Sequence, residues 1–107
     1  MTDYEINKQR LTKALEDYRN TPLGTFKRTF IDRLIEASRL SADNNEDDKR
    51  YHNLIVLRYI TDTQPSMQRI CKALHIGRDR KNYEAVTANA IDRLLVIAFG
   101  IGGINWE

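Results

Sequence analysis

Apolar residues recur along the chain at spacings of three, four or seven positions, which is the period of amphipathic helices. The first such segment runs from Thr2 to Asn20, where Thr2 and Glu5 form a capping-box pattern at its start. Its apolar stripe consists of Tyr4, Leu11, Leu15 and Tyr18. We interpret this segment as a solvated amphipathic helix rather than as one that pairs with a partner chain.

A second helix is predicted from about Thr25 to Leu40, after a break that contains Pro22 and Gly24. Because the link is so short, the two helices are expected to fold back on each other. The apolar side of the second helix is marked by Phe26, Phe30, Leu34 and Ala37, and it is widened by Ile31 and Ile35.

The segment Ser41–Asp48 is predicted to be a loop, since it is strongly acidic and its one apolar side chain is Ala42. Clustered aspartates suggest calcium, but the spacing of a calcium-binding loop is absent, and we favour a solvated acidic linker whose last residues start the next helix. The third helix, Lys49–Ile60, is apolar on several sides and is therefore expected to be central to the core. Neither His52 nor His75 has another metal ligand at suitable spacing, so both are interpreted as ordinary polar positions.

The stretch Ser66–Phe99 predicts a short helix, a tight turn and a longer helix. Ser66 suits an N-cap, and Gly77 suits the unusual backbone geometry of the turn His75-Ile76-Gly77. The longer helix is expected to begin near Arg78, with Asp79 able to cap its start. The short helix has the apolar residues Met67, Ile70, Cys71 and Leu74, and the longer one has Tyr83, Val86, Ala90, Leu94 and Ala98.

Composition indicates one small domain with a modest core, because the chain has 107 residues of which 41% are apolar. Cys71 is the single cysteine, which excludes an internal disulfide and suits a reducing compartment. The start of the chain has no apolar run of the kind a signal peptide needs. The longest apolar stretch, Leu94–Gly103, is well short of the roughly 20 residues of a membrane-spanning helix. We therefore expect a soluble cytoplasmic protein that does not contact a membrane.

Charge is uneven along the chain, although the net charge is only +2. From Ser66 to Tyr83 there are five basic residues and one acidic residue, whereas acidic residues concentrate in the 43–48 loop. A phosphate backbone would favour this polarity. The alternative is a plain helical hairpin whose basic face is only solvated.

A projection of the longer helix at about 100° per residue places Arg78, Lys81 and Ala85 on its exposed side, with Ala88 and Asp92 further along. Arg or Lys contacts guanine, Asn contacts adenine, and Ala packs against a thymine methyl. The predicted base contacts are Arg78, Lys81, Asn82 and Ala85. The predicted phosphate contacts are Ser66, Gln68, Arg69, Lys72, Arg80 and Asn89. No catalytic residue, metal or cofactor is predicted, because no phosphate-binding Gly-rich loop, metal cluster or nucleophile–base motif is present.

A further pattern lies in the run NLIVLRYITDTQPSMQRICKALHIGRDRKNYEAVTANAIDRLL. It consists of Leu57-Arg58-Tyr59, Ser66, Ile70, Leu74-His75-Ile76 and Ala90-Ile91. Over roughly residues 49–98 the chain resembles region 4 of bacterial sigma factors, and more closely the sigma-like phage late-gene activators of the ArpU/RinA type. The resemblance implies an all-α fold and binding to promoter DNA or RNA polymerase, and it does not imply an enzyme. The chain departs from the family at Gly77, where a serine cap is usual.

Together these patterns predict an all-α, five-helix bundle with a C-terminal helix-turn-helix. Residues 1–40 form a helical hairpin, 41–48 an acidic loop, and 49–107 the sigma region 4-like part with an apolar tail, all in one compact domain. The predicted function is a DNA-binding transcriptional regulator, encoded by a phage or prophage, that binds double-stranded DNA. The alternatives are a sigma-like adaptor that binds RNA polymerase or another phage or host protein, and a DNA-packaging or recombination accessory factor. The tail Leu94–Trp106 either packs under the N-terminal hairpin or forms a homodimer interface.

Overall fold

The computed structural model describes residues 2–42 and 45–100, and this part of the chain is all-helical, with five α-helices and no strand. The predicted helix count is therefore confirmed. A 3-10 turn, Tyr18–Asn20, follows the first helix, and a π-helical turn, Val56–Ile60, follows the third. The helices are α1 (Asp3–Asp17), α2 (Phe26–Ser41), α3 (Glu46–Ile55), α4 (Met67–Leu74) and α5 (Arg80–Gly100).

Local side-chain bonds set the starts of the first four helices. Thr2, Thr25 and Ser66 each accept a hydrogen bond from the backbone N–H three residues later, at 3.1, 3.2 and 3.2 Å respectively. Asn45 does the same for two N–H groups at the start of α3, so the end of the acidic segment begins that helix, as predicted. Each bond satisfies a donor that has no partner inside its helix.

One apolar core joins all five helices. Fully burying a large aliphatic side chain contributes about 1.5–3 kcal/mol to stability. Cys71 lies in this core as a small apolar residue, as the sequence predicts. The radius of gyration is 13.4 Å, close to the value of about 13 Å expected for a compact chain of this length. The largest fully buried side chains are Leu11, Leu15, Ile31, Leu34, Leu54, Ile55, Ile70, Leu95 and Cys71.

Helices α1 and α2 contact each other across their short link, as predicted. The guanidinium of Arg28 lies over the Tyr18 ring, 3.9 Å from its centroid, and donates to the carbonyls of Tyr18 and Thr21 at 3.3 and 3.0 Å. The Tyr18 hydroxyl donates to Asp32. Burial, followed by this bond to a carboxylate, raises the pKa of Tyr18 above its ordinary value.

Two predicted apolar positions differ in the structure. Phe26 is 75% exposed, so its assignment to the buried side of the second helix is wrong. It is the first residue of α2, at the open end of the helix, whereas Phe30 and Leu34 further along are buried. Tyr4 is also exposed, and its hydroxyl donates to Asp92 of α5.

The C-terminal part of α5 lies partly in the core and partly at the surface. Leu94, Leu95 and Ala98 are buried, whereas Val96 and Phe99 are exposed. The remainder of the predicted tail, residues 101–106, lies outside the described residues. Within the part of the chain that the structure covers, no helix combines the length and apolarity needed to cross a bilayer.

Candidate nucleic-acid interface

The connection between α4 and α5 runs from His75 to Asp79. His75 has a left-handed backbone, with φ 57° and ψ 44°, and the N–H of Ile76 donates to the carbonyl of Cys71 at 2.9 Å. This bond closes the end of α4 in the manner of a Schellman motif, and Ile76 is buried beside it. The prediction that Gly77 takes the unusual geometry is wrong, because the closure requires a left-handed residue directly after Leu74.

Helix α5 begins at Arg80, two residues later than predicted. The Asp79 carboxylate accepts from the N–H of Asn82 at 2.8 Å, and the Asp79 carbonyl accepts from the N–H of Tyr83 at 3.1 Å. Asp79 is therefore the N-cap, which confirms its predicted capping role. As a consequence Arg78 lies in the connection, exposed and just outside the helix.

Asn82 is engaged within the connection. It is half-buried, and its Nδ2 donates to the carbonyl of Gly77 at 3.2 Å. A Cβ on Gly77 would lie 3.1 Å from that Nδ2, so the glycine allows the close approach. Of the four predicted base contacts, Arg78, Lys81 and Ala85 are exposed, whereas the amide nitrogen of Asn82 already has a partner.

Unpaired positive charge concentrates around this connection. Nine of the 17 Lys and Arg side chains form ion pairs with other described residues. Arg69 and Lys72 on α4, Arg78, and Lys81 in the first turn of α5 are exposed and have no ion pair within residues 2–42 and 45–100. We call these four residues the basic α4–α5 surface.

The predicted phosphate contacts divide into three groups. Ser66 and Gln68 are exposed at the start of α4, beside Arg69, and the Ser66 hydroxyl oxygen caps that helix. Arg80 is exposed but pairs with Glu84 at 3.5 Å. Asn89 lies about 12 Å further along α5 than Lys81, at a rise of about 1.5 Å per residue. It lines a groove with Tyr4, Tyr51 and Asp92, so the structure separates it from the basic α4–α5 surface.

Helix α1 partly covers the side of α5 on which Lys81 and Ala85 lie, at the position of Asp92. Asp92 accepts a hydrogen bond from the Tyr4 hydroxyl and forms an ion pair with Lys8 at 2.8 Å. The prediction that Asp92 lies on the open side of the helix is therefore wrong, because α1 partly covers it. Partial burial alone would raise the pKa of Asp92, but the bonds from Lys8 and Tyr4 hold it below its ordinary value. Ala88 is half-buried. The side of α5 that carries Lys81 and Ala85 is therefore fully open only over the first two turns of the helix.

Arg58 holds this open end of α5 against the π-helical turn. Its guanidinium donates to Thr87 Oγ1 at 2.8 Å and to both oxygens of Glu84 at 3.0 and 3.3 Å. It also lies over the rings of Tyr83 and Tyr59, 4.6 and 5.3 Å from their centroids. Burial opposes the charge, but the two tyrosines and Glu84 outweigh it and raise the pKa of Arg58.

Reasoning from the residues alone does not assign Arg58 a role, although an arginine inside an otherwise apolar helical run could have indicated one. Thr87 is a buried polar residue whose hydroxyl has two hydrogen-bond partners, which offsets the cost of burying it. Its hydroxyl donates to the Tyr83 carbonyl at 2.9 Å while it accepts from Arg58. Arg19 performs a similar task at the other end of the turn, where it donates to the carbonyl of Thr61 at 2.8 Å.

His52 takes part in a polar contact on the opposite side of the core. Its Nδ1 lies 2.5 Å from the hydroxyl of Ser38, which is buried. Burial, followed by the nearby charge of Arg39, lowers the pKa of His52. A cavity of about 10 Å³ beside this pair has room for about one water molecule.

No group of three or more His, Cys, Asp or Glu side chains in the described ranges is placed to hold a metal ion. Comparison of the chain with protein-family models, with curated proteins and with solved structures finds no match.

Proposed function

We propose that the chain is a DNA-binding regulator of transcription, encoded by a phage or prophage, that binds double-stranded DNA through the basic α4–α5 surface. In this proposal α4 and α5 act as a helix-turn-helix, and the first two turns of α5 enter the major groove. Lys81 and Arg78 contact base edges there, while Ala85 allows a close approach and packs against a thymine methyl.

One observation carries the proposal, namely that four exposed cations without ion pairs in the described chain lie on α4, in the α4–α5 connection and in the first turn of α5. Of the other 13 Lys and Arg side chains, nine form an ion pair with a carboxylate. Asp79 is the single acidic residue between Ser66 and Tyr83, so these cations leave this part of the chain positive, and the closely spaced phosphates of DNA would neutralise that charge. Arg69 and Lys72 are placed on α4 to contact phosphates, with Ser66 and Gln68 able to add hydrogen bonds.

Arg58 supports the proposal indirectly. Protein side chains that contact bases need a rigid support, because a small displacement changes every contact. Arg58 lies in the π-helical turn and donates hydrogen bonds to Thr87 and Glu84 on the second turn of α5, so it ties α5 to a different element. The Asp79 cap and the Asn82–Gly77 bond fix the other end, so Asn82 serves in this proposal as a positioning residue.

Selection of bound duplexes from a random pool, repeated at two salt concentrations, tests the proposal directly. The expected result is an enriched sequence whose affinity falls steeply as salt rises, because bound phosphates release counterions. If no duplex is retained at low salt, the DNA-binding proposal is wrong. The protein–protein adaptor would then be the better proposal for this chain.

Substitutions then locate the surface. Arg78→Ala and Lys81→Ala should each lower affinity for the selected duplex by about 1–3 kcal/mol and relax its sequence preference. Lys72→Ala should weaken binding to all duplexes and reduce the salt slope by about 1. Arg33→Ala is the matched control, since Arg33 is an exposed cation on α2 without an ion pair in the described chain. An equal effect of Arg33→Ala would place the DNA elsewhere.

A homodimer belongs to the same proposal. Val96 and Phe99 are exposed near the end of α5, and a two-fold contact there would present two basic α4–α5 surfaces to one duplex. Light scattering at micromolar concentration, with and without the selected duplex, should give the mass of two chains. Val96→Ser combined with Phe99→Ser should return the mass to that of one chain, and a monomer in every condition would exclude the dimer.

A further inference from the structure

A second exposed surface lies at the corner where α1 and α2 are joined, and it combines apolar side chains with positive charge. Leu23 is 80% exposed and Phe26 is 75% exposed, which makes them the two most exposed large apolar side chains of the described residues. They are three positions apart, on either side of the N-cap Thr25. Single exposed apolar residues are ordinary, whereas two strongly exposed ones within four consecutive positions are a candidate contact surface.

Positive charge begins at Lys27, which directly follows Phe26, and continues on the α1 side of the groove that Lys27 lines. Arg10 and Lys27 are exposed and form no ion pair in the part of the chain described, and Lys13 pairs only with Asp17 of its own helix, at 3.5 Å. A groove of about 390 Å³ runs between the helices, lined by Gln9, Arg10, Lys13, Ala14 and Lys27. A second groove, of about 460 Å³, also includes Lys27 and is lined by Pro22, Thr25 and the acidic Asp17.

We propose that this surface, made of Arg10, Lys13, Leu23, Phe26 and Lys27 and called here the α1–α2 corner, binds an acidic amphipathic segment of a partner protein. Carboxylates of the segment pair with the cations along the groove, and its apolar residues cover Leu23 and Phe26. The recognition mode is that of an amphipathic helix in a groove. The inference does not depend on DNA binding, since none of its residues belongs to the basic α4–α5 surface.

The combination of features favours a polypeptide over the other polyanions. The backbone of a DNA duplex would neutralise Arg10 and Lys27, but it is mainly charged and polar and would leave Leu23 and Phe26 largely uncovered. An anionic membrane would accept the apolar side chains, but a flat lipid surface cannot fill a concave groove. An acidic segment with apolar residues supplies both kinds of contact, and charge complementarity also speeds its association.

The test starts from a random library of displayed peptides of about 15 residues, roughly four turns of helix. Selection on the full chain should enrich peptides with excess Asp and Glu and with apolar residues three or four positions apart. Their affinity for the chain is then measured in solution. An enriched pool without that acidic and apolar pattern would overturn the proposal.

Two double variants locate the bound peptide. Leu23→Ser with Phe26→Ser removes the apolar contacts, and Arg10→Glu with Lys27→Glu reverses the charge. Each pair should weaken binding by about tenfold or more. Leu40→Ser with Arg33→Glu is the matched control, because these two residues are an exposed apolar residue and an exposed cation on α2, away from the corner. This control should leave the affinity unchanged.

The alternatives give distinct results in the same assay. Since all these positions are exposed, circular dichroism and thermal unfolding should show that each variant keeps its fold. Binding lost in Arg78→Ala and Lys81→Ala, but kept in the corner variants, would assign the peptides to the basic α4–α5 surface and overturn the proposal. Random duplex DNA and phosphatidylserine vesicles are also tested as competitors of the peptide. If either one displaces the peptide and the corner variants fail to bind that competitor, the corner binds a different class of partner and the proposal is overturned.

Discussion

Replacement of Arg58 by alanine tests whether its contacts support the open end of α5. The variant loses a hydrogen bond to buried Thr87, a two-oxygen contact with Glu84, and the stacking on Tyr83 and Tyr59. Thr87 keeps its own bond to the Tyr83 carbonyl, so no buried hydroxyl is left without a partner. The expected cost therefore comes from the lost Arg58 contacts themselves.

The magnitude follows from those contacts. A hydrogen bond from a charged donor contributes about 1.5–3 kcal/mol, and a partly buried cation–π contact contributes about 0.5–2 kcal/mol. The ion pair with Glu84 adds at most about 1 kcal/mol, because the Glu84 side chain is nearly half exposed and screened by water. These contributions overlap, so Arg58→Ala should lower the free energy of unfolding by about 2–4 kcal/mol. That is a large part of the roughly 5–15 kcal/mol typical of a domain.

Urea unfolding followed by circular dichroism measures the change, which should appear as a lower midpoint with an unchanged slope. Arg50→Ala is the matched control, since Arg50 also contacts a carboxylate, that of Asp47, at 4.0 Å, but both side chains of that pair are exposed. The control should cost less than about 1 kcal/mol. If Arg58→Ala costs no more than Arg50→Ala, the inferred role of Arg58 as a support for α5 is refuted.

Three further predictions concern single contacts. His75→Gly should raise the free energy of unfolding by about 0.5–1 kcal/mol, because glycine adopts the left-handed backbone at this position without the penalty of a side chain; a lower urea midpoint would contradict this. Gly77→Ala should lower the free energy of unfolding by about 1 kcal/mol, because the added Cβ would lie 3.1 Å from Nδ2 of Asn82. The same substitution should cost much less in an Asn82→Ala background, and equal costs in this double-mutant cycle would contradict the prediction. His52→Asn should reduce the pH dependence of stability. Because the folded pKa of His52 is lowered, the unfolded chain binds the proton more tightly, so the stabilisation is complete above the ordinary pKa of about 6.5 and is lost as pH falls through and below it. Urea midpoints measured between pH 8 and pH 5 should therefore fall less in the variant than in the wild type, and equal falls would refute the assignment.

The parts of the fold that follow from the sequence are those whose interactions are short along the chain. Thr2 and Ser66 cap their helices by bonding to the N–H three residues later, and such bonds need no other element. The apolar periodicity of the helices is equally local, and it correctly marks Leu11, Ile70 and Leu94 as buried. Asp79 as a cap belongs to the same class of interaction.

The candidate surface was predictable in its composition but less so in its geometry. The charges at Arg69, Lys72, Arg78 and Lys81 are apparent from the sequence, and all four are exposed in the structure. The start of α5 differs by two residues because Asp79 caps the helix, and the left-handed residue that ends α4 is His75 and not Gly77. A short turn has several possible closures, and the packing of its one apolar residue chooses among them.

The sequence by itself determined that this protein is built from five helices, where most of them start, and which face of each is apolar, because these properties depend on backbone propensity and on bonds between near neighbours. Only the tertiary structure decided which polar residues meet across elements. Asp92 lies under α1, Arg58 reaches Thr87 from another helix, and Phe26 stays in solvent. Helical periodicity specifies which side of a helix a residue lies on, but not how far the neighbouring helix extends over that side. The length of α5 left open, and with it the size of the surface proposed to bind DNA, is therefore set by how α1 packs against α5.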